Sequence, residues 1–293
     1  MRLHEWVEQY ARTHLGLAAS SATQLRVAVR RLGVWAGRSI DTTELSAELV
    51  VDWLAWQLRQ GWAPATVRSK RLAILTLWRA AYKAGLAPPV GEVPPPRVPQ
   101  RLPEAWTVEE VGRILGACRR QRGMVDPCQA ARWWPALVLV CYDTGERVGA
   151  LRAISIDDFS AERACVVVRA EHQKLRRDRV LPLSQQTVDS LVRLHSYGCG
   201  CHCSVLFPWP FSRDRLWRWF RRIVESAGLR TPKQRMGLFH RLRRTSGSLV
   251  EAAGGDGSRH LGNSRAVFER HYLDPRIGGQ GQLGYLPRPP VSV

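Results

Sequence analysis

Phe239-His240-Arg241-Leu242-Arg243-Arg244-Thr245, followed by Leu261-Gly262-Asn263 and then His271-Tyr272, is the stretch from which this chain is best read. Helical spacing puts His240 and Arg243, three residues apart, on one face of a single helix. An imidazole, a guanidinium and a phenol in this order are the groups needed to hold a phosphodiester while a tyrosine oxygen attacks it. The guanidinium suits the task because its planar fork binds two oxygens and keeps its proton. The imidazole, with an ordinary pKa of about 6.5, can donate to a phosphate oxygen or carry the nucleophile's proton. A phenol of pKa about 10 reacts at neutral pH only beside cations, and the arginines supply them.

Two upstream segments add to this set. Thr144-Gly145-Glu146-Arg147 breaks one helix and starts a short one, so Arg147 falls where free backbone amides favour an anion. Cys165 to Arg169 and Arg179 to Leu183 alternate as two strands of a hairpin joined by the basic turn Lys174-Leu175-Arg176-Arg177-Asp178. A lysine at such a tip reaches into a groove and can protonate a departing deoxyribose oxygen. Arg176 and Arg177 are placed to contact the DNA backbone.

Charge points to the same partner. The 293 residues hold 44 Lys and Arg against 25 Asp and Glu, a formal net charge of +19. Such an excess neutralises phosphates and releases their counterions, so double-stranded DNA is the expected partner. A membrane is not expected, because the longest apolar run, Trp133 to Tyr142, is interrupted by Pro135 and too short to span one. The start, Met1-Arg2-Leu3-His4-Glu5, lacks the apolar segment of a secretory signal, and a soluble, cytoplasmic protein is expected.

Seven cysteines are present, several of them single in apolar surroundings (Cys118, Cys141, Cys165), as suits reduced thiols used as small core residues. Cys199-Gly200-Cys201-His202-Cys203 is a different case. Its spacing is too tight for the usual paired zinc ligands, so it reads as a reduced surface loop, with bound zinc as the alternative.

The chain divides at its prolines. Residues 1–86 carry four amphipathic stripes, among them Leu3-Trp6-Val7-Tyr10 and Val67-Ile74-Trp78-Ala81, and predict a compact helical bundle. The polar faces of its second and fourth helices offer Arg26, Arg30, Arg68, Lys70, Arg71 and Arg79 to a DNA backbone. Residues 87–103, with Pro94-Pro95-Pro96, read as an extended, stiff linker. Residues 104–276 form a second domain. It opens with a capping box at Thr107 and Glu110 and continues with a buried helix over about 127–142, the hairpin, a helix opened by Ser212, and helices over 240–253 and 264–272. Residues 277–293 are a Gly- and Pro-rich tail. The fold class is mainly α with a small β-hairpin.

Order and spacing of these motifs resemble the tyrosine recombinases, or phage-type integrases. Thr144-Gly145-Glu146-Arg147 resembles their first arginine motif, Lys174 their hairpin lysine, and His240-Arg241-Leu242-Arg243 their His-x-x-Arg motif. Leu261-Gly262-Asn263, nine residues before Tyr272, resembles the Leu-Gly-His segment that precedes the nucleophile. The run from Phe239 to Asp274 resembles in particular integrase-family proteins of planctomycete-type bacteria. The resemblance implies a SAM-like core-binding domain followed by a catalytic domain. It also implies cleavage and rejoining of DNA through a 3′-phosphotyrosyl link to Tyr272, without metal or nucleotide, by a homotetramer on DNA. Arg147 and Arg243 would clamp the phosphate, His240 would serve as acid–base, and Lys174 as general acid.

Two positions depart from that pattern. Ala150 stands where the family has an acid three residues after its first arginine, and Asn263 stands where it has His or Trp. Asn263 can still donate a hydrogen bond to a phosphate oxygen, but brings no charge. These departures motivate a second reading, a DNA-binding descendant with weakened or lost catalysis. A third is a type IB topoisomerase, which shares the phosphotyrosine chemistry but relaxes supercoils as a monomer.

Overall fold

The structure, a computed structural model, describes residues 1–173, 176–196, 204–231 and 237–278. The chain separates into two compact units, Met1–Gln100 and Arg101–Val293.

The first unit is a bundle of α1 (Leu3–Thr13), α2 (Ala19–Ala36), α3 (Ala47–Arg59) and α4 (Pro64–Lys83). Each helix buries the stripe that its spacing dictates: Leu3, Trp6, Val7 and Tyr10 on α1, and Val67, Ile74, Trp78 and Ala81 on α4. Trp53 and Trp78 are almost wholly enclosed, and truncating such a side chain to alanine typically costs about 3–5 kcal/mol. Local chemistry sets the helix ends. Gly37, at φ +68°, closes α2 in the left-handed region, and the Ser46 hydroxyl accepts the Leu49 N–H to start α3. The first part of the proline segment is fastened to this bundle. Val93 is buried in its core, its carbonyl accepts from the Arg71 guanidinium, and Trp78 Nε1 donates to Pro88 O at 2.9 Å.

The second unit is built around α6 (Ala130–Thr144), which is buried on nearly every side, as its apolar sequence requires. α5 (Val108–Arg119) packs on it and begins with the capping box that Thr107 and Glu110 predict. The helix expected from about residue 127 starts at Ala130. Residues 124–129 instead form a small hairpin, β1 (Met124–Val125) with β2 (Cys128–Gln129), and Pro127, without an N–H to donate, lies in its turn. After α6 come α7 (Val148–Leu151) and a three-stranded antiparallel sheet in the order β3 (Phe159–Ser160), β4 (Cys165–Val168), β5 (Arg179–Pro182), with Val166 opposite Leu181. α8 (Gln185–Ser196) covers the other side of α6. α9 (Arg213–Ser226) starts at the Ser212 cap and stacks Phe220 between Trp134 and Phe239, joining α6 to α10 (Gly237–Ala252). The chain then forms α11 (Gly257–Leu261), α12 (Arg265–His271) and α13 (Pro275–Gly278).

The protein is thus mainly helical with small sheets. No described helix is long and apolar enough to cross a membrane. Cys118 and Cys141 are buried free thiols, and Cys128 is also buried. Among the described residues no group of His, Cys, Asp or Glu could hold a metal ion. Cys199, Cys201, His202 and Cys203 lie outside the described residues.

Candidate active site

Gly145 positions the first arginine. At φ +58° it turns the chain sharply out of α6, and a Cβ there would fall 2.3 Å from Leu261 Cδ2, so only glycine fits. The turn sends the Glu146 side chain inward, where it is wholly buried. Glu146 Oε1 accepts the Arg147 N–H at 2.7 Å, and Oε2 accepts from Gln173 Nε2 at 3.1 Å and from the Arg179 guanidinium at 2.9 Å. The guanidinium of Arg147 remains about a third exposed, 3.9 Å from the same carboxylate.

Arg243 is 1% exposed on α10. Its guanidinium donates to Gly145 O and, at 2.6 Å, to Leu261 O, and lies 3.8 Å from Glu146 Oε1. One side chain therefore binds the loop before Arg147 to the loop before Asn263. Burial and the charge of Arg147 pull Arg243 below an ordinary guanidinium, while Glu146 and contact with Tyr272 act in the opposite sense.

Tyr272 follows α12, half-exposed, with its ring centre 5.1 Å from the Arg243 guanidinium carbon. Its backbone is held to α10 on both sides. Arg244 Nε donates to His271 O at 3.0 Å, the Ser248 hydroxyl donates to Tyr272 O at 3.2 Å, and Ser248 Oγ accepts the Asp274 N–H at 2.9 Å. Asp274 is buried and draws the following segment toward the start of the domain, accepting from Ala105 N at 2.8 Å and from the Arg276 guanidinium at 2.6 Å.

His240 stands in the first turn of α10 with an exposed side chain. Crowding by surrounding protein, then the charges of Arg243, Arg244, Arg147 and Arg213, hold its imidazole below the ordinary value. Asn263 Nδ2 is buried with no hydrogen-bond partner. Arg147, Asn263 and Tyr272 line one cleft of about 660 Å³, together with Gln173, Arg177, Arg179 and His271. Arg147, His240, Arg243, Asn263 and Tyr272 are thus brought to one neighbourhood. Lys174 lies outside the described residues.

The other basic candidates divide by what they already hold. Arg177 lines the cleft, and Arg176 is exposed in the left-handed region at φ +49°. In the first unit Arg30, Arg68 and Arg79 are exposed, whereas Arg26 is bound to Glu8 at 2.7 Å and Arg71 to Val93 O. Lys70, expected on a polar face, is only 7% exposed. It falls three residues after Val67 and four before Ile74, and that spacing puts it on the buried stripe.

Residues 105–256, which include Arg147, His240 and Arg243, match the phage integrase family. The chain belongs to the phage integrase family. Among curated relatives, the tyrosine recombinase XerA of Thermococcus kodakarensis is 30% identical over 194 residues, a match covering 64% of this chain and 60% of that one. XerD of Agrobacterium fabrum is 27% identical over 195 residues, covering 65% of this chain and 57% of the relative. The match therefore spans about three fifths of the curated relatives' length. The fold is that of a lambda integrase dimer bound to a COC′ core site, with a TM-score of 0.68 at 17% identity and full coverage of both chains.

Sequence reasoning overlooked several groups that build this cleft. Glu146 was visible only as part of Thr-Gly-Glu-Arg, and its contacts with the hairpin appear only on folding. Arg179 looked like an ordinary strand residue, yet it also donates to His260 O at 2.8 Å and so ties the hairpin to α11. Ser248 and Asp274 gave no signal beyond their polarity in a mostly apolar context.

Proposed function

We propose that this chain is a site-specific DNA recombinase that cuts and rejoins double-stranded DNA through a phosphotyrosyl intermediate. The observation that carries this reading is the position of Tyr272, in the same cleft as Arg147 and Asn263 and beneath the Arg243 guanidinium.

In the proposed reaction the Tyr272 oxygen attacks the scissile phosphorus and displaces the 5′ oxygen of the next deoxyribose. The strand is left as a 3′-phosphotyrosyl ester beside a free 5′-hydroxyl. Charge gathers on the two non-bridging oxygens as the new bond forms. Arg147 and Arg243 answer it, and because both lie against Glu146 and Arg243 is also held by two backbone carbonyls, little reorganisation is needed at the moment of reaction. Asn263 supplies one further donor. His240, kept neutral near pH 7 by its surroundings, takes up the phenolic proton. Lys174 is assigned protonation of the leaving oxygen on the strength of its sequence motif. The ester preserves the energy of the broken bond, so attack by the 5′-hydroxyl of a partner strand reseals it.

Assembly as a tetramer on DNA is part of this proposal. A lambda integrase tetramer bound to a Holliday junction shares the fold, with a TM-score of 0.69 at 18% identity. The net charge of +19 suits a large DNA surface. The reading is tested with nicked suicide duplexes carrying the recombination site of the element that encodes the chain. The native protein should accumulate a covalent protein–DNA adduct and Tyr272→Phe none. Site-independent relaxation of plasmids would favour a topoisomerase instead.

A further inference from the structure

The acid that the family pattern puts three residues after Arg147 is Ala150, buried at 6% exposure. A carboxylate is nevertheless present in the cleft wall, one residue before the arginine. Among the described residues, Glu146 is the only carboxylate within 4.0 Å of Arg147, Arg179 or Arg243. Asp178, which also lines the cleft, is engaged with the Ala170 N–H and Arg169.

We propose that Glu146 is the positioning residue of the cleft, a relocated carboxylate that replaces the acid missing at position 150 and, through Gln173 and Arg179, docks the β4–β5 hairpin against the arginine pair. The proposal rests on the recombinase reading of this cleft for its effect on rate, though not for its effect on the hairpin. Glu146 touches three separate parts of the chain at once: its own loop, both flanks of the segment carrying Lys174 (Gln173 and Arg179), and α10 through Arg243. Three guanidiniums facing one carboxylate leave an excess of positive charge for a phosphate. Without that carboxylate the three cations would repel one another in a poorly solvated wall. The left-handed Gly145 makes the relocation possible, because it reverses the chain so that residue 146 projects inward.

The test uses the full-length protein carrying Glu146→Gln, which keeps size and hydrogen-bonding capacity but removes the charge, and Glu146→Asp, which keeps the charge. Amide hydrogen exchange over residues 176–180 should quicken in Glu146→Gln and stay closer to native in Glu146→Asp. This readout does not depend on DNA cleavage. With DNA saturating, Glu146→Gln should slow single-turnover adduct formation by roughly thirtyfold or more while changing DNA affinity less than threefold, and Glu146→Asp should recover most of the loss. Unchanged hairpin exchange in Glu146→Gln would overturn the proposal, as would a native cleavage rate in that variant or equal loss in both variants. Absence of any adduct from the native protein would instead count against the recombinase reading, leaving the exchange measurement to decide the role of Glu146.

Discussion

The guanidinium carbon of Arg243 lies 5.1 Å from the centre of the Tyr272 ring within the same chain. α10 carries Arg243 and also grips the backbone on both sides of the tyrosine, through Arg244 and Ser248. In the proposed reaction Tyr272 would therefore work with the arginine of its own subunit. Mixing Arg243→Lys with Tyr272→Phe protein on a cleavable site should give no more adduct than either variant alone. Complementation in the mixture would show that the tyrosine is donated to a neighbouring subunit.

Asn263 bears a different kind of signature, an amide nitrogen buried beside the cleft with nothing to bond. A phosphate oxygen would satisfy it. Loss of one such donor from a preorganised site typically costs about 2.7–4 kcal/mol. Asn263→Ala should accordingly slow single-turnover cleavage by roughly 10²- to 10³-fold with little change in DNA affinity. Asn263→His, which restores the residue of the family pattern, should be at least as fast as native. An Asn263→Ala protein cleaving at the native rate would show that the amide is idle.

Acid should destabilise the second unit. His195 and His260 are each held below the ordinary imidazole value, first by burial, with neighbouring arginines adding to the effect at His260. Below a pH of about 6.5 the unfolded chain binds protons that the folded chain refuses, so unfolding is favoured as pH falls from there toward the folded values. The melting temperature should drop between pH 7.5 and 5.5, and replacing His260 with Gln should shrink that drop. A flat profile would contradict the depressed values. For catalysis, the acidic limb of the cleavage rate should lie below pH 6.5, since His240 stays neutral to lower pH than a free imidazole.

Helical stripes in the first unit were legible because each helix buries one face, and spacing alone reveals a face. The same rule, applied more strictly, would have placed Lys70 inside. α11 was not legible, since its five residues barely complete a turn and show no period. β3, two residues long, is equally silent, and α8 went unremarked between stronger motifs. The site divides in the same way. Arg147, His240, Arg243 and Tyr272 announce themselves by order and spacing, because chemistry restricts which side chains can serve. The groups that hold them are ordinary residues whose importance comes from burial and from partners far away in sequence: Glu146 with Gln173, Arg243 with Gly145 and Leu261.

Salt should separate exposed arginines from committed ones. DNA affinity should fall with a log–log slope of about −0.9 for each phosphate contacted. Alanine at Arg30, Arg68 or Arg79, all exposed, should each make that slope shallower by about 0.9 if the side chain meets a phosphate. Arg26 and Arg71 already serve Glu8 and Val93 O, so their removal should act more on stability than on the slope. A salt-independent affinity would remove the electrostatic basis of DNA binding.

The central claim concerns which atom holds the DNA. Adduct trapped on a suicide substrate, digested with protease and nuclease and analysed by mass spectrometry, reads this out directly. The expected result is a nucleotide joined through its 3′ phosphate to the peptide containing Tyr272, with a free 5′-hydroxyl on the displaced strand. Attachment to any other residue, Tyr142 for instance, or cleavage that leaves both DNA ends free of protein, would contradict the account.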